Sequence, residues 1–369
     1  MPTTVEEANH SDREHAEFSP SSLKYVGACA GYVSNPGTNA AAERGTRLHE
    51  AMEHNDPSAL HDEDEVAAFE KCREMEKGFQ ITAGVPDDAE QFYEIRLNIM
   101  LWGTTTFGTC DRLSLWNGRT EGLLADYKFG IGHIDAPEIN KQARTYSIGV
   151  FQEYPELQKL TFAFYIPARD ELLWHTFTRE DLPELMADIS QIILKGEAVR
   201  PMWSDGSTPP LGCLNATQYC RFCKFEDTCP ATGALVMETF NGEHDDATTP
   251  EEQEEKFNIA KIVKSWAERT IKKTTDQAKD GVEFPNLRLV SMGSTTKCTD
   301  SNTLLEVAEN LGVSRDEMLE KVSIPLGTAS KVIASKAQHG KKQEAEAIFR
   351  NELEDRGVLE QAAERFTLK

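Results

Sequence analysis

Apolar and polar positions alternate along three consecutive stretches between residues 92 and 130. The stretches are FYEIRLNIML, TFGTCDRLSLW and GLLADYKFG, and an Asn117-Gly118 pair separates the last two. Alternation with a period of two predicts strands with one buried face, and Asn-Gly is a strong hairpin signal. The pattern therefore predicts an antiparallel meander of three strands.

Apolar residues on either side of this meander recur at the three- and four-residue spacing of helices that bury one face. Ser19 and Pro20 add a cap and a first-turn proline to the earliest of these stretches. Two more apolar runs, LQKLTFAFYIP and LLWHTF, predict a further pair of strands. Helices and strands that follow one another in this way indicate an α/β domain over residues 19–240. The helices are expected at 19–29, 40–54, 63–79, 137–154 and 180–195.

Polar, acidic segments lie on both sides of this domain. Residues 1–18 are expected to form a disordered acidic tail, and NGEHDDATTPEEQEE at 241–255 has the composition of a linker. Beyond it, residues 256–369 are predicted to form a mainly helical accessory region. A short hairpin is expected within that region at NLRLVSMGSTTKCTD.

The composition is strongly acidic, with a formal net charge of −23 at pH 7 over 369 residues. Proteins that bind phosphate groups usually present a basic surface, so this charge argues against a nucleic-acid partner. The charge does not exclude one, because 39 Lys and Arg residues remain. Carboxylates gathered at a metal site would also add to the acidic count.

The N-terminus and the cysteines bear on the cellular compartment. The segment MPTTVEEANHSDREHAE is polar and unlike a signal peptide, and the chain has no run of roughly 18 apolar residues. We therefore expect a cytoplasmic protein. Thiols are kept reduced there, so a cluster among the eight cysteines predicts metal binding rather than disulfides.

The third predicted strand carries two opposite charges, Asp126 and Lys128, within its apolar run. Residues two apart in a strand face the same side, so the two side chains project together. If the three strands pair in order, Asp111 and either Glu94 or Glu90 approach them at one end of the sheet. Carboxylates at that density suit Mg²⁺ or Mn²⁺, and a neighbouring lysine can orient a water molecule. The alternative is a plain ion pair on an edge strand.

A cysteine-rich stretch, CLNATQYCRFCKFEDTC, places Cys220, Cys223 and Cys229 in a C-x₂-C-x₅-C run. This spacing occurs in zinc sites and in iron–sulfur sites. The identity of the fourth ligand distinguishes two centres. Cys213 would complete a local four-cysteine zinc site, whereas Cys29 would join the start of the domain to its C-terminal edge.

Five short motifs follow one another in the order of a known nuclease superfamily. In this order and approximate spacing they resemble the RecB-type branch of the PD-(D/E)XK nucleases. The resemblance implies a restriction-endonuclease-like core, in which helices flank a mixed central sheet. The motifs are GTRLH at 45–49, YEIRL at 93–97, GTCD at 108–111, DYK at 126–128 and QARTY at 142–146.

The resemblance also implies a role for each motif residue. His49, Asp111 and Asp126 match the residues that bind the catalytic Mg²⁺ or Mn²⁺ in these nucleases. Asp111 and Asp126, together with Lys128 and Glu94, match the catalytic set. The constellation at the end of the predicted meander would then be a phosphodiester-hydrolysing site.

Two groups of residues are candidates for DNA contacts. Gln142 and Tyr146 share one helical face and match the family's contacts near the scissile phosphate. In the C-terminal region, a run with lysines and no acids between 321 and 343 is a candidate phosphate-contacting strip, with a solvated helix face as the alternative. The candidate lysines of this strip are Lys331, Lys336, Lys341 and Lys342.

Almost the whole chain resembles a phage and prophage family of RecB-like nucleases that is usually recorded as a domain of unknown function. The segments SPSSL, CAG, CRFCKFEDTCPA, WAERTIKKTTDQAKDGVEFPNLRLV and TKCTD carry this resemblance. It favours a structural 4Fe–4S cluster over zinc. The cluster would be bound by Cys29, Cys220, Cys223 and Cys229.

These expectations combine into one function. We expect a metal-dependent DNA exonuclease that acts on linear DNA ends in phage recombination or replication, with other phage replication or recombination proteins as its partners. The alternative is a non-catalytic module with the nuclease fold that binds DNA ends or a partner protein.

Overall fold

The computed structural model describes residues 16–35, 40–204, 206–242, 249–290, 300–319, 326–336, 341–356 and 358–359. Most of the predicted acidic tail, residues 1–15, lies outside these ranges, and so do residues 291–299 of the predicted hairpin at 286–300. The chain divides into two compact units, of which the first is Met1–Arg288 and the second is Leu289–Lys369.

A five-stranded mixed sheet forms the centre of the first unit. Its strands lie in chain order, β1-β2-β3-β4-β5. The β3 and β4 strands are parallel, and every other neighbouring pair is antiparallel. The predicted meander and the predicted mixed sheet are both confirmed. The strands are β1 Glu90–Met100, β2 Thr105–Trp116, β3 Glu121–Tyr127, β4 Lys159–Ile166 and β5 Glu171–Thr178.

Helices cover both faces of this sheet. One apolar cluster contains residues of α1, α4 and α5, and a second cluster on the opposite face contains residues of α2 and α3. Because both faces of β4 are covered, its sequence LTFAFYI is buried almost without interruption. The helices of the first unit are α1 Leu23–Ala28, α2 Ala40–His54, α3 Glu63–Thr82, α4 Lys141–Glu153, α5 Leu182–Ser204, α6 Pro230–Asn241 and α7 Pro250–Lys279.

The crossover from β3 to the parallel strand β4 runs through α4. Asn140 caps this helix, and its side chain accepts hydrogen bonds from the backbone N–H groups of Gln142 and Ala143 at 2.9 and 3.2 Å. The cap fixes where the helix begins. It thereby holds Gln142 in the first turn of α4, beside the end of β3.

The long helix α7 belongs to the first compact unit, although we expected it beyond a linker at 241–255. Arg269 of α7 forms ion pairs with Glu226 at 2.6 Å and with Asp227 at 3.0 Å. Both acids lie between two cysteines of the cysteine-rich stretch. Side-chain contacts of this kind cannot be recognised from an acidic, linker-like composition.

The second unit is helical where it is described. Within the ranges given above, no helix has the length and apolar character needed to span a membrane. The helices of the second unit are α8 Ser301–Asn310, α9 Arg315–Leu319, α10 Leu326–Ala334 and α11 Lys342–Asp355.

Candidate active site and cysteine centre

The pairing of β1 with β2 is interrupted at one point, between Tyr93 and Ile95. Glu94 and Asp111 stand opposite each other in this gap. Glu94 is buried, and its φ of 47° is a conformation that residues with a side chain rarely adopt. Such a conformation costs about 1–3 kcal/mol and is concentrated at functional sites.

The same interruption changes the face to which side chains point. Phe92 and Ile95 pack with the same apolar cluster although they are three residues apart in β1, and so do Cys110 and Leu113 in β2. Regular alternation would put the members of each pair on opposite faces. The two opposed carboxylates therefore sit where both strands switch faces.

A histidine from α2 joins these carboxylates. One ligand atom each from His49, Glu94 and Asp111 lies within 4.8 Å of the other two. The His49 Nδ1 atom is 3.4 Å from Asp111 Oδ2, and the backbone N–H of Tyr127 donates to the same oxygen at 2.7 Å. The His49 ring also contacts the rings of Tyr127 and Phe129, with centroids 6.3 and 5.4 Å away. The structure thus brings one imidazole and two carboxylates together.

Next to this group, Asp126, Lys128 and Gln142 form a closed triangle. Lys128 Nζ lies 2.6 Å from Asp126 Oδ2 and donates to Gln142 Oε1 at 2.9 Å. The Gln142 amide in turn donates to Asp126 Oδ1 at 2.8 Å. Asp126 is only 3% exposed, so it depends on these two partners. The triangle fixes the lysine amine at the end of β3.

The charges of the site shift its pKa values in different directions. Burial by itself lowers the pKa of His49, but the charge and hydrogen bond of Asp111 outweigh burial, so the pKa is raised. Burial raises the pKa of Asp111, and the His49 charge with hydrogen bonds from His49 and Tyr127 lowers it overall. Burial raises the pKa of Asp126 to about 6, which the nearby Lys128 only partly offsets. His49 and Asp111 therefore stabilise each other's charged forms, whereas the ionised form of Asp126 is destabilised by burial.

The structure brings six of the sequence-selected residues together, with two changes of detail. Glu90, the alternative to Glu94, lies at the surface and pairs with Arg119 at 2.6 Å. The oxygens of Asp126 contact Lys128 and Gln142, whereas Glu94 belongs to the compact group with His49 and Asp111. The six residues are His49, Glu94, Asp111, Asp126, Lys128 and Gln142.

Tyr146 does not lie where a DNA contact requires it. Its side chain is buried against Gly108, and its hydroxyl donates to the backbone carbonyl of Thr109 at 2.7 Å. The i,i+4 spacing from Gln142 puts the two residues on one helical face, but that face packs on β2 at this point. Tyr146 supports the strand that carries Asp111 and is not a surface contact.

The predicted lysine strip belongs to the second unit. Lys336 and Lys341 are exposed. Lys331 lies in α10 and Lys342 begins α11, and their side chains are outside the described part of the structure. The strip remains a prediction.

A buried acid of α3 had no signal in the sequence. Glu76 of α3 accepts hydrogen bonds from Tyr127 and Arg112, the residues that follow Asp126 and Asp111. It lies in the acid- and lysine-rich segment EKCREMEKGF, where nothing distinguishes it from its solvated neighbours.

The cysteine-rich stretch folds back onto the start of the first unit. Tyr32 donates its hydroxyl to the Phe222 carbonyl at 3.1 Å, and the backbone N–H of Lys224 donates to the Val33 carbonyl at 2.8 Å. A bridge between Ser34 and Cys223 lies beside these bonds. The N-terminal segment is therefore tied to the C-terminal cysteine loop.

This closure brings Cys29 to the late cysteines. Burial raises the pKa values of Cys29 and Cys220, and the other thiols of the group, those of Cys223 and Cys229 included, raise them further. Backbone N–H groups point at two of the sulfurs, from Asn215 to Cys29 Sγ at 3.4 Å and from Thr217 to Cys220 Sγ at 3.2 Å. Cys29 therefore lies near the late cysteines Cys220, Cys223 and Cys229.

Cys213, the alternative fourth ligand, is exposed. It lies in a short turn, Leu211–Cys213, just before the loop that donates to Cys29 Sγ.

Comparison with protein families identifies the chain. The model of the family described as "Protein of unknown function (DUF2800)" matches residues 79–354. The chain belongs to this family. The DUF2800 match includes five of the six grouped site residues and the late cysteines, and it begins after His49 and Cys29. The predicted membership of a family recorded as a domain of unknown function is confirmed.

Solved structures that are similar to parts of this DUF2800 chain include the two that follow, and no curated protein matches it. A protein from Eubacterium rectale described as a "putative exonuclease" is 12% identical, with a TM-score of 0.35, over 68% of this chain and 97% of its own. The protein SSO0001 is 14% identical, with a TM-score of 0.24, over 51% of this chain and 81% of its own. Both TM-scores are too low to define a fold or an activity.

Proposed function

We propose that this DUF2800 protein is a metal-dependent DNA nuclease that hydrolyses phosphodiester bonds at DNA ends. One observation carries the proposal: the lysine of the Asp126–Lys128–Gln142 triangle is fixed beside the compact His49, Glu94 and Asp111 group. A plain ion pair, the alternative to such a site, does not need a second cluster of ionisable groups beside it.

The energetics also favour a functional site over a structural ion pair. Asp126 is buried and its raised pKa shows that its charge is held unfavourably. Glu94 adds a strained backbone conformation in the same place. Costs of this kind, concentrated within a few residues, are typical of sites that are retained for their chemistry.

The grouped residues fit a divalent cation. Carboxylate oxygens suit Mg²⁺ and Mn²⁺, and an imidazole nitrogen is more compatible with Mn²⁺ than with Mg²⁺. His49, Glu94 and Asp111 would hold the ion, with Asp126 adjacent to them. When bound, such an ion supplies Lewis-acid polarisation of a phosphate oxygen and lowers the pKa of a water molecule.

The protein's own residues would position the attacking water and the DNA. Lys128 Nζ, oriented by Asp126 and Gln142, would hold the attacking water by hydrogen bonding and offset the negative charge that develops on the phosphate. Gln142 is the remaining candidate among the predicted DNA contacts at this site. The lysine strip of the second unit, in which Lys336 and Lys341 are exposed, is a further candidate for contacts with DNA phosphates.

We further propose a 4Fe–4S cluster at Cys29, Cys220, Cys223 and Cys229. The observation that supports these four residues is the grouping of their thiols with N–H donors aimed at two of the sulfurs. Because the sequence separation between the first ligand and the last is 200 residues, the cluster would close the first unit as a structural staple. Zinc is the alternative occupant of the same thiols.

The physiological setting rests on the resemblance to phage nucleases. We propose a role in phage recombination or replication in the host cytoplasm, alongside other proteins of those processes. Linear DNA with free ends is the expected substrate.

The net charge of −23 favours a second candidate, a module that binds DNA ends or a partner protein and does not cleave. An acidic protein of this kind would present few phosphate contacts. The two candidates differ in whether DNA is cut.

A cleavage assay tests the proposal. End-labelled linear DNA and circular DNA, each single- and double-stranded, are incubated with the protein in Mg²⁺, Mn²⁺ or EDTA. We expect linear DNA to be shortened from its ends with metal only, and Asp126→Ala to reduce the rate by about 100-fold or more. Asp188→Ala is the matched control, because Asp188 pairs with Lys141 at 2.9 Å outside the site. Binding without cleavage under every condition would support the second candidate.

A further inference from the structure

Glu76 of α3 connects the two strands that carry the aspartates of the candidate site. It is 5% exposed, and its two oxygens accept different bonds. Tyr127 Oη donates to Oε1 at 2.6 Å, and Arg112 Nη1 donates to Oε2 at 2.7 Å. One carboxylate from α3 therefore joins β2 to β3.

The two donors follow the two aspartates of the site directly in sequence. Arg112 follows Asp111, and Tyr127 follows Asp126. Arg112 shares a peptide unit with Asp111, and Tyr127 shares one with Asp126. Fixing the side chains of Arg112 and Tyr127 against α3 therefore restricts the backbone that carries the two aspartates.

The strands need this restraint because their regular pairing ends here. The last pair between β2 and β3 is Arg112 with Ala125. Beyond it, the Tyr127 N–H donates to the Asp111 carboxylate at 2.7 Å instead of to a backbone carbonyl. The separation of the two aspartates thus depends on side chains, and Tyr127 takes part through both its amide and its hydroxyl.

The Tyr127 ring extends the restraint to the histidine. Its centroid is 6.3 Å from that of His49 and 6.0 Å from that of Tyr165. Arg112 is held in turn by Gln91, whose Oε1 accepts from Nε at 3.2 Å and from Nη2 at 3.1 Å. The residues that are hydrogen-bonded in this network besides Glu76, namely Gln91, Arg112 and Tyr127, lie on strands β1, β2 and β3.

A buried charge network of this kind contributes little net free energy to the stability of a core, because its charges lose their contact with water. Replacing a buried ion pair by apolar side chains of similar volume is often neutral or stabilising. The network instead gives a fixed geometry, because hydrogen bonds from a guanidinium to a carboxylate form only in specific directions.

We propose that Glu76 is a positioning residue that sets the spacing of Asp111 and Asp126 through Arg112 and Tyr127. The proposal rests on the proposed function for its consequence, which is the alignment of the metal-binding and water-orienting groups. The proposal also requires that the end of β3 is ordered, and this order can be measured by hydrogen exchange without metal or DNA.

Tyr165 provides a matched control for Tyr127. It lies directly beside Tyr127 in the sheet, on β4, and its ring faces the same apolar cluster. Within the part of the chain that the structure describes, its buried hydroxyl has no hydrogen-bond partner. Tyr127→Phe and Tyr165→Phe therefore remove the same atom from neighbouring sites, and only the first breaks the connection to Glu76.

The experiment compares Glu76→Gln, Tyr127→Phe and Tyr165→Phe with the unmodified chain. Hydrogen exchange of the Tyr127 and Lys128 amides is followed by mass spectrometry in EDTA, and Mn²⁺ affinity is measured by calorimetry. We expect Glu76→Gln and Tyr127→Phe to speed exchange at these amides and to weaken Mn²⁺ binding by about tenfold, as is typical of residues that orient metal ligands. Tyr165→Phe should leave both quantities unchanged.

Two results would overturn the proposal. One is a Glu76→Gln protein that is less stable than the unmodified chain but has the same amide exchange and Mn²⁺ affinity, which would make Glu76 a purely structural residue. The other is an equal effect of Tyr165→Phe. If the unmodified chain neither binds Mn²⁺ nor cleaves DNA, the proposed function fails, while faster exchange in Glu76→Gln and Tyr127→Phe alone would still uphold the positioning role.

Discussion

Replacing Asp126 by asparagine should abolish cleavage and yet stabilise the metal-free protein. Burial raises the pKa of this carboxyl from 3.8 to about 6 even with Lys128 beside it. Each unit of pKa shift corresponds to about 1.4 kcal/mol, so the ionised side chain costs on the order of 3 kcal/mol of folding free energy at neutral pH. Asparagine has nearly the same shape and carries no charge, so it should recover most of this cost.

The pH dependence gives the prediction its sign. The folded-state pKa lies above the unfolded-state value, so the unfolded chain loses this proton first as the pH rises. Stability is therefore lost between about pH 4 and pH 6, and the whole cost persists above that window. The advantage of Asp126→Asn should be near zero at pH 4 and largest at pH 8.

Chemical denaturation in EDTA at several pH values measures this difference, and a thermal midpoint about 5–10 °C higher at pH 8 is expected in parallel. Asp188→Asn is the control, because Asp188 is partly exposed and is held by Lys141 and Arg144. It should be neutral or destabilising at every pH. An Asp126→Asn protein that is less stable than the unmodified chain at pH 8 would refute the reasoning.

Three further predictions concern other parts of the chain. Glu94→Gln should weaken Mn²⁺ binding by at least about tenfold in calorimetry, whereas Glu90→Gln, which touches only the surface pair with Arg119, should not. Cys29→Ser should remove the broad visible absorption of anaerobically purified protein and Cys213→Ser should not; a colourless protein with stoichiometric zinc would contradict the 4Fe–4S assignment. Glu65→Gln should cost about 2 kcal/mol at pH 7, because it weakens the charge-assisted hydrogen bonds from Arg47. The same bonds hold the pKa of Glu65 below its usual value. Since a lowered folded-state pKa gives stability that is lost as the pH falls through it, this difference should shrink below about pH 4 in denaturation experiments.

The sheet and most of the site could be predicted because their signals are local. The period-two alternation over 92–130 and the Asn117-Gly118 turn specify strands that pair in order, and register then brings Asp111 and Asp126 to one end. The i,i+2 spacing of Asp126 and Lys128 places both on one side of a strand. These relations follow from backbone geometry alone.

The remaining features depend on which surfaces are covered, which local spacing does not encode. Tyr146 shares a helical face with Gln142, but only the packing of α4 on β2 determines that its hydroxyl bonds to Thr109. The positive φ of Glu94 arises from the interrupted pairing of two strands and has no glycine to signal it. Glu76 lies among other acids and lysines, so its burial could not be foreseen from composition.

The separation of the two compact units was equally inaccessible. The segment 241–255 has the composition of a linker, yet α7 begins within it at Pro250 and belongs to the first unit. Its attachment includes the ion pairs of Arg269 with Glu226 and Asp227. Long-range ion pairs between charged residues leave no periodic pattern in a sequence.

The most direct test of the central claim is single-turnover cleavage of end-labelled linear DNA in Mn²⁺ by the unmodified chain and by Lys128→Met, with Mn²⁺ affinity measured on the same samples. Lys128 holds no metal in this account but is fixed to Asp126 and Gln142 to act on the attacking water. The account predicts metal-dependent cleavage by the unmodified chain. For Lys128→Met it predicts retained Mn²⁺ binding with a rate lower by about 10²–10⁴-fold. Equal cleavage by the two proteins, or no metal-dependent cleavage by the unmodified chain, would contradict it.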